Sequence, residues 1–190
     1  MINIVVDKLF GNLLLDGRVF HIRYCVHILN LVMKDGLLVI QDIIEKIHDS
    51  IAYWSATPSR VEKIKEMARQ IKIPCIKKLS LDCKIYCNST YLMLQTALKY
   101  KDVFPRLKLK EKHYTSMPSQ EEWKLAQVIC LKLKLFYKAT KLFFDSKYPT
   151  INIYFIKICQ VRKALSKWMT SSNEVISTMA IKVFEKFEKY

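Results

Sequence analysis

The sequence predicts a mainly α-helical chain, a multi-helix domain with at most one or two short strands near residues 18–24. Three observations carry that prediction. Apolar residues recur at three- and four-residue spacing along most of the 190 positions. There are only 3 glycines and 5 prolines, too few for the tight turns of an all-β chain. Two Ser-x-x-Glu strings, Ser119/Glu122 and Ser171/Glu174, stand directly before long periodic runs, where a capping box would open a helix. With 51% of its residues hydrophobic, the chain has the material for a buried core and is not a disordered tail.

Taken in order, a first helix is expected over Ile2–Leu15, with Val5, Val6, Leu9 and Leu13 on one side and Asp16-Gly17 ending it. Phe20, Ile22 and Tyr24 then alternate with His21 and Arg23, which suits a short half-buried strand. From Cys25 the period becomes helical. Cys25, Ile28, Leu29 and Val32 begin a stripe that continues through Ile40, Ile44, Ile47, Ile51 and Trp54, so one long helix is expected. Gly36 weakens that helix, and His27 lies near its hinge with the strand. Thr57 can cap and Pro58 can open the next helix, which carries Val61, Ile64, Ala68 and Ile71 and ends before Pro74.

Pro74–Cys87 reads as a connecting loop. Asn88-Ser89-Thr90 offers a cap for a helix from Tyr91 to about Phe104, which Pro105 separates from the basic stretch Arg106–Lys112. His113–Met117 reads as loop. Ser119 opens a long helix through Trp123, Ile129, Leu133 and Phe136 that ends near Asp145. Pro149 admits another helix with Tyr154, Ile158, Val161, Leu165 and Trp168. The last helix places Ile176, Met179, Val183, Phe187 and Tyr190 on one face. Phe143, Phe144, Tyr154, Phe155 and Trp168 are expected in the core rather than on a base-stacking platform.

Charge points to a partner. Against 17 Asp+Glu stand 32 Lys+Arg, a surplus of +15 that favours a polyanion, nucleic acid before an acidic membrane surface. The basic residues are spread along the chain, so solvation of helix faces is the competing explanation. No apolar run reaches the roughly 18 residues of a membrane span. The 6 cysteines lack CxxC spacing and suit buried apolar positions, so reduced thiols are expected; Cys83, Cys87 and His27 leave a zinc site without a fourth ligand. There is no glycine phosphate loop, no serine elbow and no HExxH. Asp42, Glu45, Asp49, Glu185 and Glu188 read as solvated charge on amphipathic faces. No metal or cofactor is expected.

The string FHIRYCVHILNLVMKDGL, Phe20–Leu37, resembles a segment shared by plant hAT-family transposases and the zinc-finger BED proteins domesticated from them. CNSTYLMLQTALKYKDVF at Cys87–Phe104, PSQEEWKLAQVICLKL at Pro118–Leu133 and SKYPTINIYF at Ser146–Phe155 are similar to further segments of that family, in the same order. The resemblance implies the tail of an RNase H-like core with a long helix over residues 1–56, followed by a helical insertion over 57–190. The family's three metal-holding acidic residues would fall before Met1 and beyond Tyr190, so no catalysis is expected of this polypeptide alone.

Two departures accompany the likeness. The family's cysteine-x-x-histidine motif would place cysteine where Tyr24 stands, leaving Cys25 and His27 as a remnant. Its Arg-Trp pair, whose tryptophan is associated with an extruded base, is replaced by Tyr86 and Cys87. The expected function is that of a non-catalytic fragment binding DNA without sequence preference. Arg106, Lys108, Lys110, Lys112, Tyr86 and Asn88 are the candidate contacts, and Lys132, Lys134, Lys138 and Lys141 back them where they face outward. The alternative is a helical module that associates with itself or with full-length transposase-like paralogues. The family implies a nuclear location, and failing that a cytoplasmic one; a membrane partner is not expected.

Overall fold

The computed structural model describes residues 18–73, 79, 81, 87–145 and 151–189, with side chains described from Val26 onward except at 144–145 and 151–154. The expected helix over Ile2–Leu15 and most of the expected loop before Cys87 lie outside the described residues. The regular elements among the described residues are helices: α1 Arg18–Leu37, α2 Gln41–Ser55, α3 Pro58–Gln70, α4 Cys87–Ala97, α5 Val103–Lys110, α6 Gln120–Asp145, α7 Ile151–Met169 and α8 Glu174–Phe187. The mainly α class therefore holds. No helix among the described residues is long and apolar enough to cross a membrane.

The strand allowed for near residues 18–24 is instead the start of α1. A five-residue alternation is too short to outweigh the helical period that follows it, and aromatic residues and isoleucine give up only a few tenths of a kcal/mol in a helix. The long helix expected from Cys25 to Trp54 is interrupted by a 3-10 turn, Leu38–Ile40, that separates α1 from α2. Gly36 does not break α1. Its missing side chain has a packing reason, because a Cβ there would lie 2.2 Å from Val183 Cγ2 of α8. α1 and α8 approach closely along this seam, and Met179 and Val183 fill it from α8.

Several local signals act as read. Thr57 Oγ1 accepts from the Arg60 N–H, with Pro58 in the first turn of α3. The Ser119/Glu122 box is formed in both directions: Glu122 accepts from the Ser119 N–H at 2.7 Å and Ser119 Oγ from the Glu122 N–H at 3.2 Å. α6 ends at Asp145. At the end of α3, Lys72 adopts φ 58° while the Lys72 and Ile73 N–H groups return to the Arg69 and Ala68 carbonyls, a Schellman closure with lysine where glycine is usual.

Three expectations about helix starts are corrected. Asn88-Ser89-Thr90 lies inside α4, which begins at Cys87, so Asn88 is not a cap. α4 gives way after Ala97 to a 3-10 turn, Leu98–Tyr100, and Pro105 sits in the first turn of α5 rather than between a helix and a basic loop. A first-turn proline is tolerated because its N–H would have no intrahelical partner. α8 is capped by Asn173, whose Oδ1 accepts from the Ile176 N–H at 3.1 Å; Ser171 accepts from the Asn173 N–H instead of forming a box with Glu174.

The core runs between the helices without a break. α4 and α1 pack on α6, α8 covers α1 and α7, and α3 bridges α2 and α5. At one end Trp54, Tyr114 and Phe104 are fully buried, and Phe104 stacks on Trp123 with centroids 5.6 Å apart. The loop after α5 is anchored there: the Tyr114 hydroxyl donates to Ser50 Oγ at 2.8 Å, and Ser50 donates to the Ser116 carbonyl at 2.6 Å. Phe143 joins the core and Trp168 packs against it, as expected, but Phe155 is 65% exposed on α7. The side chains of Phe144 and Tyr154 lie outside the described residues.

Candidate nucleic-acid interface

The basic stretch that looked like one patch is divided by its own helix. On α5, Arg106 and Lys110 are four residues apart and exposed, while Leu107 between them is buried. Lys108 turns inward instead. Its ammonium donates to the Tyr114 carbonyl and lies 5.8 Å from the centre of the Tyr114 ring, which ties the loop to the helix. Lys112 is exposed just beyond α5. Arg106, Lys110 and Lys112 therefore face solvent, whereas Lys108 ties the loop after α5 to its helix.

α6 presents a second basic surface. Lys134, Lys138 and Lys141 recur at four- and three-residue spacing and are exposed, with Leu131 one turn earlier 63% exposed on the same face. Lys132 points elsewhere, with its ammonium 4.7 Å from the centre of the Trp168 ring of α7. Partial burial, and then the charge of Lys167, hold the Lys132 ammonium below the usual lysine range.

The motif remnants gather around the start of α4. The Cys87 thiol donates to Asn30 Oδ1 of α1 at 3.1 Å, and Thr140 of α6 donates to Asn88 Oδ1 at 2.9 Å. Neighbouring positions 87 and 88 thus tie α4 to two different helices. Burial pushes the Cys87 thiol up to about 12, so it stays protonated and unreactive near neutral pH. Beside it a cleft of about 330 Å³ opens between α1, α2 and α4, its rim formed by Lys34, Gln41, Glu45 and His48. His27 is exposed on α1; the Cys25 side chain, Cys83, Tyr24 and Tyr86 are not among the described side chains. The structure does not bring Arg106, Lys110 or Lys112 to the Cys87 network. Asn30, Thr140 and the Lys132–Trp168 pair carried no local signal in the sequence, because each depends on a partner at least 36 positions away.

Residues 22–131 match the family described as ZBED1 RNase-like helical domain, and residues 152–190 match that described as hAT-like transposase, RNase-H fold. A maize (Zea mays) protein named as an AC transposase is 39% identical over 182 residues, covering 95% of this chain and 23% of the maize protein. Zinc finger BED domain-containing protein RICESLEEPER 2 of rice (Oryza sativa subsp. japonica) is 38% identical over 180 residues, 95% of this chain and 25% of its own length. Its counterpart DAYSLEEPER from Arabidopsis thaliana is 29% identical over 129 residues, 68% of this chain and 18% of that protein. The chain spans about a quarter of the length of these maize and rice relatives. No solved structure matches it.

Proposed function

The chain belongs to the hAT transposase family, and from that premise we propose that this polypeptide is a non-catalytic, helical, DNA-binding part of a nuclear transposase-derived protein. The observation that carries the reading is the outward-facing series Lys134, Lys138 and Lys141 on α6, supported by Arg106, Lys110 and Lys112 and by a net charge of +15. Lysines on a helix face meet phosphates and carry no base information, so binding is sequence-independent and steeply salt-dependent. The non-catalytic part of the reading is supported by three carboxylates that are engaged in structural contacts. Glu122 closes a capping box and meets Lys46 at 2.5 Å, Asp35 meets Lys186 at 2.9 Å, and Glu188 meets Arg162 at 3.0 Å. These acids serve helix ends and helix pairs.

Fluorescence anisotropy with labelled duplex and hairpin DNA across a salt series tests the reading. Expected is a linear fall of log affinity with log salt, equal for the two DNAs. Absence of binding at low salt overturns it. Metal-dependent nicking of DNA by the purified chain, lost on changing one of its own carboxylates, overturns the non-catalytic part. A second reading, a helical self-association module, is favoured by one observation: Leu131, Phe155 and Ile156 are 63%, 65% and 54% exposed. Sedimentation equilibrium showing a clean dimer without DNA affinity selects it.

A further inference from the structure

The seam between α6 and α7 is rich in base and poor in acid. From Trp123 to Phe144 there is no aspartate or glutamate and there are five lysines; from Ile151 to Asn173 there is again no acid, with four basic residues. The two helices pack against each other, so their surpluses add. Within the seam, Lys132 of α6 lies over the Trp168 ring at 4.7 Å, and the charge of Lys167, the residue before Trp168, acts on it. Trp168 in turn packs on Phe136 with centroids 6.3 Å apart, which fixes the platform from below. Arg162 is already paired with Glu188 on α8, whereas neither Lys132 nor Lys167 has an acidic partner among the described residues.

Resting on the DNA-binding reading above, we propose that Lys132 and Lys167, framed by Trp168, form a phosphate-binding site for the backbone of DNA, with Lys163 one turn before Lys167 extending it along α7. The charge of Lys167 opposes that of Lys132, and a phosphate between the two relieves that repulsion. The α7 C-terminus contributes only about half a negative charge nearby, which two full positive charges outweigh. Trp168 holds the Lys132 ammonium over its ring, so less side-chain freedom is lost on binding than for the exposed Lys134 or Lys138. The depressed proton affinity of Lys132 fits the same picture: an arriving phosphate restores it.

The site has its own spectroscopic reporter. Of the three tryptophans, Trp54 and Trp123 are buried, and Trp168 alone is partly exposed. Titration of the chain with duplex DNA is expected to change intrinsic fluorescence, and Trp168→Phe to remove that change. The double variant Lys132→Met/Lys167→Gln keeps an aliphatic stem over the ring and removes both charges. Its salt slope is expected to be shallower by about 2, with affinity lower by about eightfold per lost contact at 0.1 M salt. Lys167→Gln alone, at an exposed position, is expected to show half the slope change and guards against misfolding of the double variant. Lys134→Gln/Lys138→Gln is expected to alter affinity with the Trp168 signal retained. DNA binding by Lys132→Met/Lys167→Gln with the full wild-type slope overturns the site while leaving the DNA-binding reading standing. No DNA binding by the wild-type chain at low salt overturns both.

Discussion

Gly36→Ala tests a close helix contact, that between α1 and α8. Gly36 lies in α1, and an alanine Cβ built there falls 2.2 Å from Val183 Cγ2 and 3.4 Å from Met179 Cγ. Ordinary carbon–carbon contact is about 3.5–4.0 Å, so the first distance is deep in repulsion. Val183 cannot swing away, because it is fully buried and a β-branched side chain in a helix has one strongly preferred χ1. The relief must come from a shift of α8 against α1. Overpacking of this kind costs about 1–3 kcal/mol, and the better helix propensity of alanine returns about 1 kcal/mol. With the clash this severe, a net destabilisation of about 1–2 kcal/mol is expected, read as a lower urea midpoint at unchanged m by far-UV circular dichroism. The control is the same change made in a Val183→Ala background, where the offending methyl is gone. There Gly36→Ala becomes neutral or stabilising by up to about 1 kcal/mol, the coupling expected of two residues in contact. Stabilisation by Gly36→Ala in the wild-type background, or an equal cost in both backgrounds, would refute the close-packed α1–α8 seam.

Lys72→Gly is expected to act in the opposite direction, raising stability by about 0.5–1 kcal/mol in the same urea assay, because Lys72 closes α3 at φ 58°, where a Cβ is unfavourable. Among Cys87, Cys130 and Cys159, the exposed Cys159 is expected to be alkylated first by iodoacetamide in a mass-spectrometric time course, since burial pushes the Cys87 and Cys130 thiols up to about 12 and about 11. Both folded-state values lie above that of a free thiol. Their contribution to stability is complete below about pH 8.5 and is lost as pH rises toward 11–12, and Cys87→Ser is expected to flatten that alkaline limb in pH-dependent urea unfolding. Glu122 behaves conversely: the hydrogen bond from Lys46 and the Ser119 N–H hold its carboxyl below the usual range, so its contribution is present above that range and lost as pH falls through the lowered value. Glu122→Gln is expected to remove this part of the acid sensitivity while keeping α6 helical by circular dichroism.

Much of the architecture could be read from short strings, because the interactions that encode it are short-ranged. Thr57-Pro58 opens α3 and Ser119/Glu122 opens α6 through hydrogen bonds that span three residues, and the three- and four-residue spacing of Ile176, Met179 and Val183 states which face of α8 is buried. The charge surplus and the family motifs were equally visible without coordinates. Where two local readings were close in energy, the sequence alone chose wrongly. Phe20–Tyr24 alternates like a strand yet continues α1, and Asn88 carries the side chain of a cap yet spends it on Thr140 of α6. Ser171 lost the cap of α8 to Asn173, two residues nearer the helix.

By itself, then, the sequence determined that the chain is helical, basic, related to hAT transposases, and where several of its helices start. The tertiary structure alone decided which lysines face outward. Lys108 and Lys132 have the same local pattern as Lys110 and Lys134, yet one is drawn to the Tyr114 carbonyl and the other onto the Trp168 ring. It also decided that Gly36 serves the contact with α8 and that Phe155 stays exposed. The reason is one of range: a helix start is settled by hydrogen bonds between near neighbours, whereas the environment of a side chain is settled by whichever helix the rest of the chain packs against it.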